Sequence, residues 1–384
     1  MLGVGTRLLT TGNSPAQAHL LEVTRTVSRA GQHPTGIDRI ERAYIAHLSA
    51  IDTPLYGLFR TKLGYLLLDR AGCNRLLEHC EAPVWHRTDM LSRLTRRTNR
   101  AHAVTESGLR QHAVDRATPG RLRHLLKRRL PKGTVYFNIG QTNLNDRTTV
   151  ALRGCDVMRI VDRPDRHSDI ALCKSTYTKE RCLAHAKHLK LTDVHVLQPG
   201  LPDITIGSAP FGPWSDKPYF MAIGTLEPRK NIGFLLDVWE DMGPDAPHLV
   251  LCGRRGWMNE DVFARLDNGV ERVHELNDLD DAAMWALLKN SRGLLFPSMA
   301  EGFGYPAVEA AHLNVPLICN PLPPFVEVLG DYPIYASESD RYVWRNKIEQ
   351  LAQRRRGQSG EQSVTGGVEP PTWQVHFNRL FTLL

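Results

Sequence analysis

Hydrophobic and polar positions alternate in two different ways along this chain. From residue 218 to about residue 338, short apolar runs are separated by segments with helical periodicity. Such alternation predicts a parallel, doubly wound α/β sheet with helices on both faces. The predicted strands of this half cover residues 219–223, 249–252, 272–276, 293–296, 316–319 and 333–336.

The first half is patterned less regularly but still favours an α/β domain. A predicted strand over 20–28 leads into a loop over 30–39 and a helix over 40–49. Residues 87–132 are rich in Arg, Thr and His and have weak periodicity, so we interpret them as loops and helices. Further strands are predicted over residues 56–59, 64–68, 134–139, 157–161, 170–173 and 194–197.

A chain of 384 residues is long enough for two domains with separate cores. We expect a loose N-terminal extension over 1–18, domains over 19–200 and 201–350, a mobile loop over 351–371 and a terminal helix over 372–384. The first residues lack the basic and apolar segments of a signal peptide, and no apolar stretch reaches eighteen residues. The seven cysteines are scattered, which disfavours a disulfide framework or a zinc site and favours the cytoplasm.

Charge is distributed unevenly between the halves. Residues 1–200 hold 32 Lys and Arg against 17 Asp and Glu, a net +15, whereas residues 201–384 hold 16 against 24, a net −8. In the basic segment 121–132, Leu122, Leu125 and Leu126 recur at helical spacing. Such a helix can lie on an anionic membrane surface, or its leucines can pack on the protein's own core. Nucleic acid is not an expected partner, because the segment has no interleaved aromatics and no recognisable binding module.

The stretch 301–309 contains the strongest candidate chemistry. Glu301 and Glu309 lie eight residues apart, and Gly302, Phe303 and Gly304 form a turn between them. An apolar strand precedes the stretch and a helix follows it. Glycines let the backbone approach a ligand, and the free N–H groups of a first helical turn favour an anion.

A second candidate anion site lies upstream. A predicted strand ends at Gly224, and Arg229 and Lys230 follow it just before a helix over 232–239. Two adjacent cations suit a diphosphate, whose charge is spread over several oxygens. Alone they would be read as solvated loop charges, but both candidate sites are predicted at the carboxyl ends of strands in one sheet.

With these motifs the chain resembles the retaining GT-B glycosyltransferases of family 4. The resemblance is strong over residues 217–337 and fainter in the first half. It is carried by residues 224–231, 249–257, 298–304, Glu309 and 315–320, and more weakly by 34–39 and 135–140. It implies a GT-B fold, in which two Rossmann-like doubly wound domains face each other across a cleft and a terminal helix returns to the first domain.

The resemblance also implies an activity. A sugar would move from a nucleotide-diphosphate sugar to a hydroxyl of a glycan or lipid-linked saccharide acceptor, with retained anomeric configuration, in the synthesis of a surface polysaccharide. Residues 87–132 would then lie on the acceptor side. The protein would be cytoplasmic, with a peripheral position on the inner face of the membrane as one option, through an anionic surface contacted by the basic first domain.

Roles of individual residues are implied in the same way. Arg229 and Lys230 would stabilise the departing diphosphate, and Glu301 would face hydroxyls of the donor sugar. Glu309 would accept hydrogen bonds from the ribose. Backbone N–H groups at Gly36 and around Gly304 would cradle the diphosphate and the sugar. Gly224, Gly302 and Phe303 complete the donor-binding set, and no metal ion or other cofactor is expected.

Three positions depart from the resembled family. Its members often carry a His-Asp pair after a middle strand of the first domain, whereas this chain has Val161 followed by Asp162. His167 could replace the missing histidine, the site could work without it, or Asp162 could pair with a neighbouring arginine and do no chemistry. Gln141 stands where His is frequent, and Asn314 stands where Gly is usual.

Two alternative functions follow. The first is a non-catalytic relative that binds a sugar nucleotide or glycan and needs a partner for activity, which Val161 favours and the complete set of donor residues opposes. The second is a nicotinamide-dependent oxidoreductase. Its Gly-x-Gly-x-x-Gly motif is absent after the first strand, where Gly31 and Gly36 have the wrong spacing.

Overall fold

The chain divides into two compact units. The structure is a computed structural model that describes residues 16–94, 99–155, 157–161, 168–185, 193–353 and 369–384. Unit 1 contains Met1–Lys174, Lys179–Pro199 and Trp373–Leu384, and unit 2 contains Ser175–Thr178 and Gly200–Thr372. The predicted N-terminal extension up to residue 15, and residues 354–368 of the predicted mobile loop, lie outside the described residues.

Unit 1 is built on a mixed sheet of eight strands in the order β4-β3-β2-β1-β5-β6-β7-β8. The strands are β1 Ala18–Glu22, β2 Leu55–Arg60, β3 Tyr65–Asp69, β4 Ala113–Ala117, β5 Thr134–Asn138, β6 Met158–Val161, β7 Ile170–Cys173 and β8 Asp193–Val196. Strands β1, β2, β5, β6, β7 and β8 pair in parallel, whereas β3 pairs antiparallel with both β2 and β4 and is the one reversed strand of this described sheet. The connection from β2 to β3 is too short for a parallel crossover, which explains the change of direction.

The helices of unit 1 are α1 Thr24–Arg29, α2 Gly36–Ala50, α3 Arg70–Glu81, α4 Met90–Leu94, α5 Arg100–His112, α6 Leu122–Arg129, α7 Asp146–Arg153 and α8 Thr176–His185. The predicted strand over 20–28 was wrong in its second half, where α1 forms instead. The Glu22 carboxylate accepts a hydrogen bond from the Thr24 backbone N–H, which turns the chain at the strand end. Helix α2 begins four residues earlier than predicted, because Thr35 and Asp38 form a capping box.

Helix α6 decides one of the alternatives left open by the sequence. Leu122, Leu125 and Leu126 are each at most 1% exposed and belong to a core cluster of unit 1. Arg128 and Arg129 both pair with Asp115. The leucines of this segment therefore stabilise the domain, and the idea that they contact a membrane is wrong.

Unit 2 has a six-stranded parallel sheet in the order β11-β10-β9-β12-β13-β14. Its strands are β9 Tyr219–Ile223, β10 His248–Cys252, β11 Val273–Leu276, β12 Gly293–Phe296, β13 Leu317–Cys319 and β14 Ile334–Tyr335. Its helices are α9 Ile232–Met242, α10 Glu260–Asn268, α11 Asp281–Asn290, α12 Tyr305–His312, α13 Pro323–Leu329 and α14 Arg341–Gln353. All six predicted strands are present. Strand order reverses direction between β9 and β12, so ligands are expected beyond the carboxyl ends of these two strands.

The terminal helix, α15 Trp373–Thr382, belongs to unit 1. The His376 ring is hydrogen-bonded to the Tyr44 hydroxyl at 2.8 Å, and Phe377 stacks on His47 with 3.7 Å between ring centroids. Phe377 and Leu380 are buried, so the helix completes the core beside α2. Among the described residues, no helix combines the length and apolar character needed to span a membrane.

Candidate active site

The loop after β9 presents two cations. Gly224 has φ +135°, which lets the chain leave the strand in a direction that other residues rarely adopt. A short 3₁₀ turn over Pro228–Lys230 follows, and Asn231, with φ +54°, turns the chain into α9. Asn tolerates this left-handed conformation better than most residues do. The turn fixes the backbone of Arg229 and Lys230 at the strand end.

The loop after β12 presents the first of the two carboxylates. Gly304 has φ +81°, and a Cβ atom added there would lie 2.4 Å from Cε1 of Phe325, so both conformation and space require glycine. Helix α12 starts directly after it. Asn320, the residue directly after β13, holds this loop in place. Its side-chain amide donates to the carbonyl oxygens of Pro297 and Ser298 at 3.0 and 2.9 Å.

The two loops meet because β9 and β12 are adjacent in the sheet. Arg229 Nη1 donates to Glu301 Oε1 at 2.7 Å and to the Ala300 carbonyl at 3.1 Å. Lys230 Nζ reaches the same Glu301 oxygen at 2.5 Å. A backbone bond from Met299 N–H to Arg229 O, 2.8 Å long, joins the main chains. The structure thus brings Arg229, Lys230 and Glu301 into one cluster.

Lys230 is held in a largely dry environment. The residue is 8% exposed, and its ammonium lies 4.4 Å from the ring centroid of Phe296. Burial lowers the pKa of Lys230, and the neighbouring Glu301 carboxylate opposes that effect. The electrostatic effect of a cation is larger here than on the surface, because few water molecules screen it.

Sequence reasoning missed Glu227, which lies in the same loop as the cations. It is 3% exposed, and its Oε1 atom is 2.6 Å from Arg229 Nε. Arg229 is therefore held at Nε by Glu227 and at Nη1 by Glu301. The signal was present in the sequence, since a carboxylate two residues before an arginine in a strand-end loop can pair with it.

The other predicted donor-binding residues of this loop and helix follow Glu301 along the chain. Phe303 is buried and packs edge-on against Tyr305, with 5.2 Å between ring centroids. Gly302 precedes it in the bend between Glu301 and α12. Glu309 lies on α12 and is fully buried, which is unusual for a carboxylate and indicates a specific polar environment.

Gly36 is the predicted donor-binding residue of unit 1. Gly36 is half-buried and is the first residue of α2, where Asp38 accepts hydrogen bonds from the N–H and hydroxyl of Thr35 and pairs with Arg25 and Arg29. Burial favours a raised pKa for Asp38, but these donors lower it below its usual value.

The departure at Val161 has a clear structural setting. Val161 is 1% exposed at the end of β6 and lines a small cavity with Tyr136, Asn143 and Arg159. Asp162 and His167 lie outside the described residues, so their predicted roles remain predictions.

The departure at Asn314 is conformational. Asn314 has φ +56°, in the left-handed region that glycine adopts freely, and it follows the end of α12. Asn is the residue that most often replaces glycine there. Gln141, in unit 1, has the same φ of +56°. Within the described residues, no three His, Cys, Asp or Glu side chains come together as a potential metal site.

Comparison with known proteins finds similarity over the part of the chain that contains this cluster. Residues 208–355 match the glycosyl transferases group 1 family. The chain is 32% identical over 127 residues to the O-antigen chain mannosyltransferase B of Escherichia coli, which is 32% of this chain and 33% of the relative. It is 31% identical over 144 residues to the O-antigen chain mannosyltransferase RfbU of Salmonella typhimurium, which is 35% of this chain and 38% of the relative. The aligned residues thus span little more than a third of these relatives.

Structural comparison covers both units. The HepE protein of Anabaena, solved in complex with UDP and glucose, is similar over 96% of this chain and 99% of its own, with a TM-score of 0.60 and 13% identity. The chain has the GT-B fold, and residues 208–355 are similar to the glycosyl transferases group 1 family. The predicted fold class of two Rossmann-like domains is confirmed, and the group 1 match coincides with the unit that contains the Arg229–Lys230–Glu301 cluster.

Proposed function

We propose that this GT-B glycosyltransferase moves a sugar from a nucleotide-diphosphate sugar to a hydroxyl of a glycan or lipid-linked saccharide, with retained anomeric configuration. Mannose is the first donor sugar to consider, because the relatives aligned with unit 2 are mannosyltransferases of O-antigen chains. The observation that carries the proposal is the convergence of Arg229, Lys230 and Glu301 at the switch point of a parallel sheet.

The chemistry needs this kind of cluster. When the bond between the anomeric carbon and the β-phosphate oxygen breaks, negative charge grows on the diphosphate. Fixed cations at that position stabilise the transition state more than the bound ground state. Lys230 is suited to this role because it is buried, and Arg229 because two carboxylates hold its guanidinium in one orientation.

The carboxylates have distinct proposed roles. Glu301 would accept hydrogen bonds from hydroxyls of the donor sugar, and the buried Glu309 would accept those of the ribose. Glu227 and Glu301 hold Arg229 and Lys230 in place. We propose that these two cations neutralise the diphosphate and that turnover is independent of metal.

The cellular setting follows from the same relatives. The relatives are named O-antigen chain mannosyltransferases, and on that basis we propose a role in surface polysaccharide synthesis at the inner face of the membrane. An anionic bilayer would then lie close to the basic unit 1.

A screen of the purified chain against GDP-, UDP-, dTDP- and ADP-sugars tests the proposal. We expect thermal stabilisation and slow hydrolysis with one nucleotide family, unchanged by a chelator. The Lys230→Met variant keeps a flexible apolar side chain of similar length and removes the charge over Phe296, so turnover should fall by about a hundredfold or more. Glu309→Gln should weaken donor affinity by about tenfold.

Lys347→Met is a matched control, because Lys347 lies on α14 and is predicted to leave turnover unchanged. Full activity in Lys230→Met would contradict the site. The anomeric proton of the product, observed by NMR with a glycan acceptor, reports retention or inversion directly.

The second candidate function is a non-catalytic subunit. It is favoured by Val161, which places a buried aliphatic side chain where relatives of the resembled family often carry histidine. Binding of a donor without hydrolysis or transfer, in the presence of mannosylated acceptors, would support this alternative over the first.

A further inference from the structure

Helix α4 presents an unusual apolar surface. Met90 is 75% exposed, Leu91 37% and Leu94 68%, within five consecutive residues. The spacings of three and four residues put Leu94 on the same helix face as the other two. Single exposed hydrophobic residues are ordinary, but three on one short helix form a patch that marks an interaction site.

The opposite side of α4 is anchored. Ser92 is 2% exposed and its hydroxyl lies 2.9 Å from that of Ser107 on α5. Arg110 Nη1 donates to Asp89 at 2.7 and 2.6 Å and to the Ser92 hydroxyl at 2.9 Å. Asp89 in turn accepts from the Ser92 N–H at 2.7 Å. These polar contacts fix the orientation of α4, so its apolar face is displayed outward in a defined way.

The charge around the patch has one sign. Residues 82–112 contain six arginines, no lysine and two carboxylates, Asp89 and Glu106. Both carboxylates pair with Arg110, and Glu106 is almost fully buried. Arg87, three residues before α4, and Arg93, within it, are exposed, as is Arg100 at the start of α5. An apolar face bordered by arginines matches a bilayer whose surface carries anionic headgroups.

We infer that Met90, Leu91 and Leu94 of α4 form a docking surface for an anionic membrane, with the flanking arginines contacting the headgroups. The inference rests on the proposed function only in its choice of partner, since an acceptor linked to lipid would be presented at such a surface. It replaces the amphipathic segment 121–132, whose leucines are buried, as the membrane contact of unit 1.

Vesicle flotation of the full chain tests the inference without requiring activity. Wild-type protein should bind vesicles that contain phosphatidylglycerol at low salt, and bind much less to phosphatidylcholine vesicles or at high salt. The triple variant Met90→Ser, Leu91→Ser, Leu94→Ser should lower the bound fraction by about tenfold or more. Arg87→Ser with Arg93→Ser should reduce binding to anionic vesicles and weaken its salt dependence.

A matched control removes the same number of exposed apolar side chains from scattered positions. Leu63, Val150 and Tyr342 are 51%, 60% and 73% exposed, and their change to Ser should leave flotation unchanged. In a Met90→Trp variant, brominated lipids should quench fluorescence beyond the wild-type level. This readout reports insertion in a protein that retains all three arginines.

Three outcomes would overturn the inference. The triple α4 variant could bind as well as wild type, or the scattered control could lose as much binding as the α4 variant. Alternatively, light scattering could show a wild-type dimer that the α4 variant converts to monomers, which would assign the patch to a second copy of the chain. If the wild-type protein binds the vesicles but turns over no donor, that result would count against the proposed function alone.

Discussion

The two units bury their charged side chains in different ways. Among the described residues of unit 2, the buried Asp, Glu, Lys and Arg residues are Glu227, Lys230 and Glu309, and all lie in the loops and helix that follow β9 and β12. Those of unit 1 are spread over β1, α2, α5 and β6, namely Glu22, Asp38, Glu41, Glu106 and Arg159. Buried charge is costly, so its location shows where a fold has a use for it. In unit 2 it is concentrated at one candidate site.

The buried groups of unit 1 instead hold elements together. Glu22 accepts hydrogen bonds from Asn143 at 2.9 Å and Tyr136 at 3.1 Å, which ties β1 to β5 and to the loop that follows it. Glu41 on α2 accepts from Thr26 on α1 at 2.7 Å. Burial raises the pKa of Glu22 to about 7 and that of Glu41 to about 8. Unit 1 therefore has titratable groups whose main effect is on stability.

The largest expected effect tests whether the site of unit 2 depends on its backbone. Gly304→Ala introduces a Cβ atom 2.4 Å from Phe325 and places alanine at φ +81°. Gly330→Ala is a matched control, because Gly330 has φ +53° with no atom within 4 Å of the added Cβ. The control should lose about 1–2 kcal/mol of unfolding free energy from the backbone alone. Gly304→Ala should lose more and should also lose donor binding.

Urea unfolding and donor titration of both variants measure these effects. Equal losses of stability with unchanged donor affinity in Gly304→Ala would show that the close packing against Phe325 does not shape the site. The difference between the two units would then lie in the placement of their buried charges alone.

An intermediate effect tests the buried carboxyl groups of unit 1. Because the folded-state pKa of Glu41 is raised to about 8 from 4.5, its contribution to stability is present below pH 4.5 and is lost as pH rises through about 8. Burial is the main cause, and the nearby Asp38 and Glu22 add to it while Thr26 and Arg25 oppose it. Glu41→Gln cannot ionise, so its stability should decline less steeply with pH.

One such group can change the free energy of unfolding by at most about 1.4 kcal/mol per pH unit. Hydrogen exchange of α1 and α2 peptides, followed from about pH 6 to about pH 8 in both proteins, isolates the effect to unit 1. Peptides of α9 and α12 in unit 2 serve as the internal control. Parallel pH profiles in wild type and Glu41→Gln would contradict the raised pKa.

The contrast between the units also explains what could be predicted from sequence. All six strands of unit 2 and the Arg229–Lys230–Glu301 convergence follow from apolar runs that end in glycine loops, because in a parallel sheet strand ends meet at one edge. The partner of Arg229 at Nε, Glu227, was missed because pairing of two residues in one loop depends on the 3₁₀ turn.

Unit 1 was harder to predict for physical reasons. The segment 20–28 is apolar enough for a strand, but the side chain of Glu22 caps the turn and α1 follows. The exposed face of α4 lies in a segment of weak periodicity, where the anchoring contacts come from Arg110, eighteen residues beyond Ser92. Such contacts depend on tertiary structure, and local pattern does not report them.

The smallest expected effect compares one left-handed residue in each unit. Asn314 and Gln141 both have φ +56°. Asn often adopts this conformation and Gln does so rarely, because the short Asn side chain can hydrogen-bond locally. Gln141→Gly should therefore gain more unfolding free energy than Asn314→Gly, by up to about 1 kcal/mol, with donor turnover unchanged in Asn314→Gly. Urea midpoints of the two variants measure the difference. An equal gain would mean that the left-handed backbone at Gln141 is no more strained than that at Asn314. The departure from the resembled family at Gln141 would then be as easily accommodated as the one at Asn314.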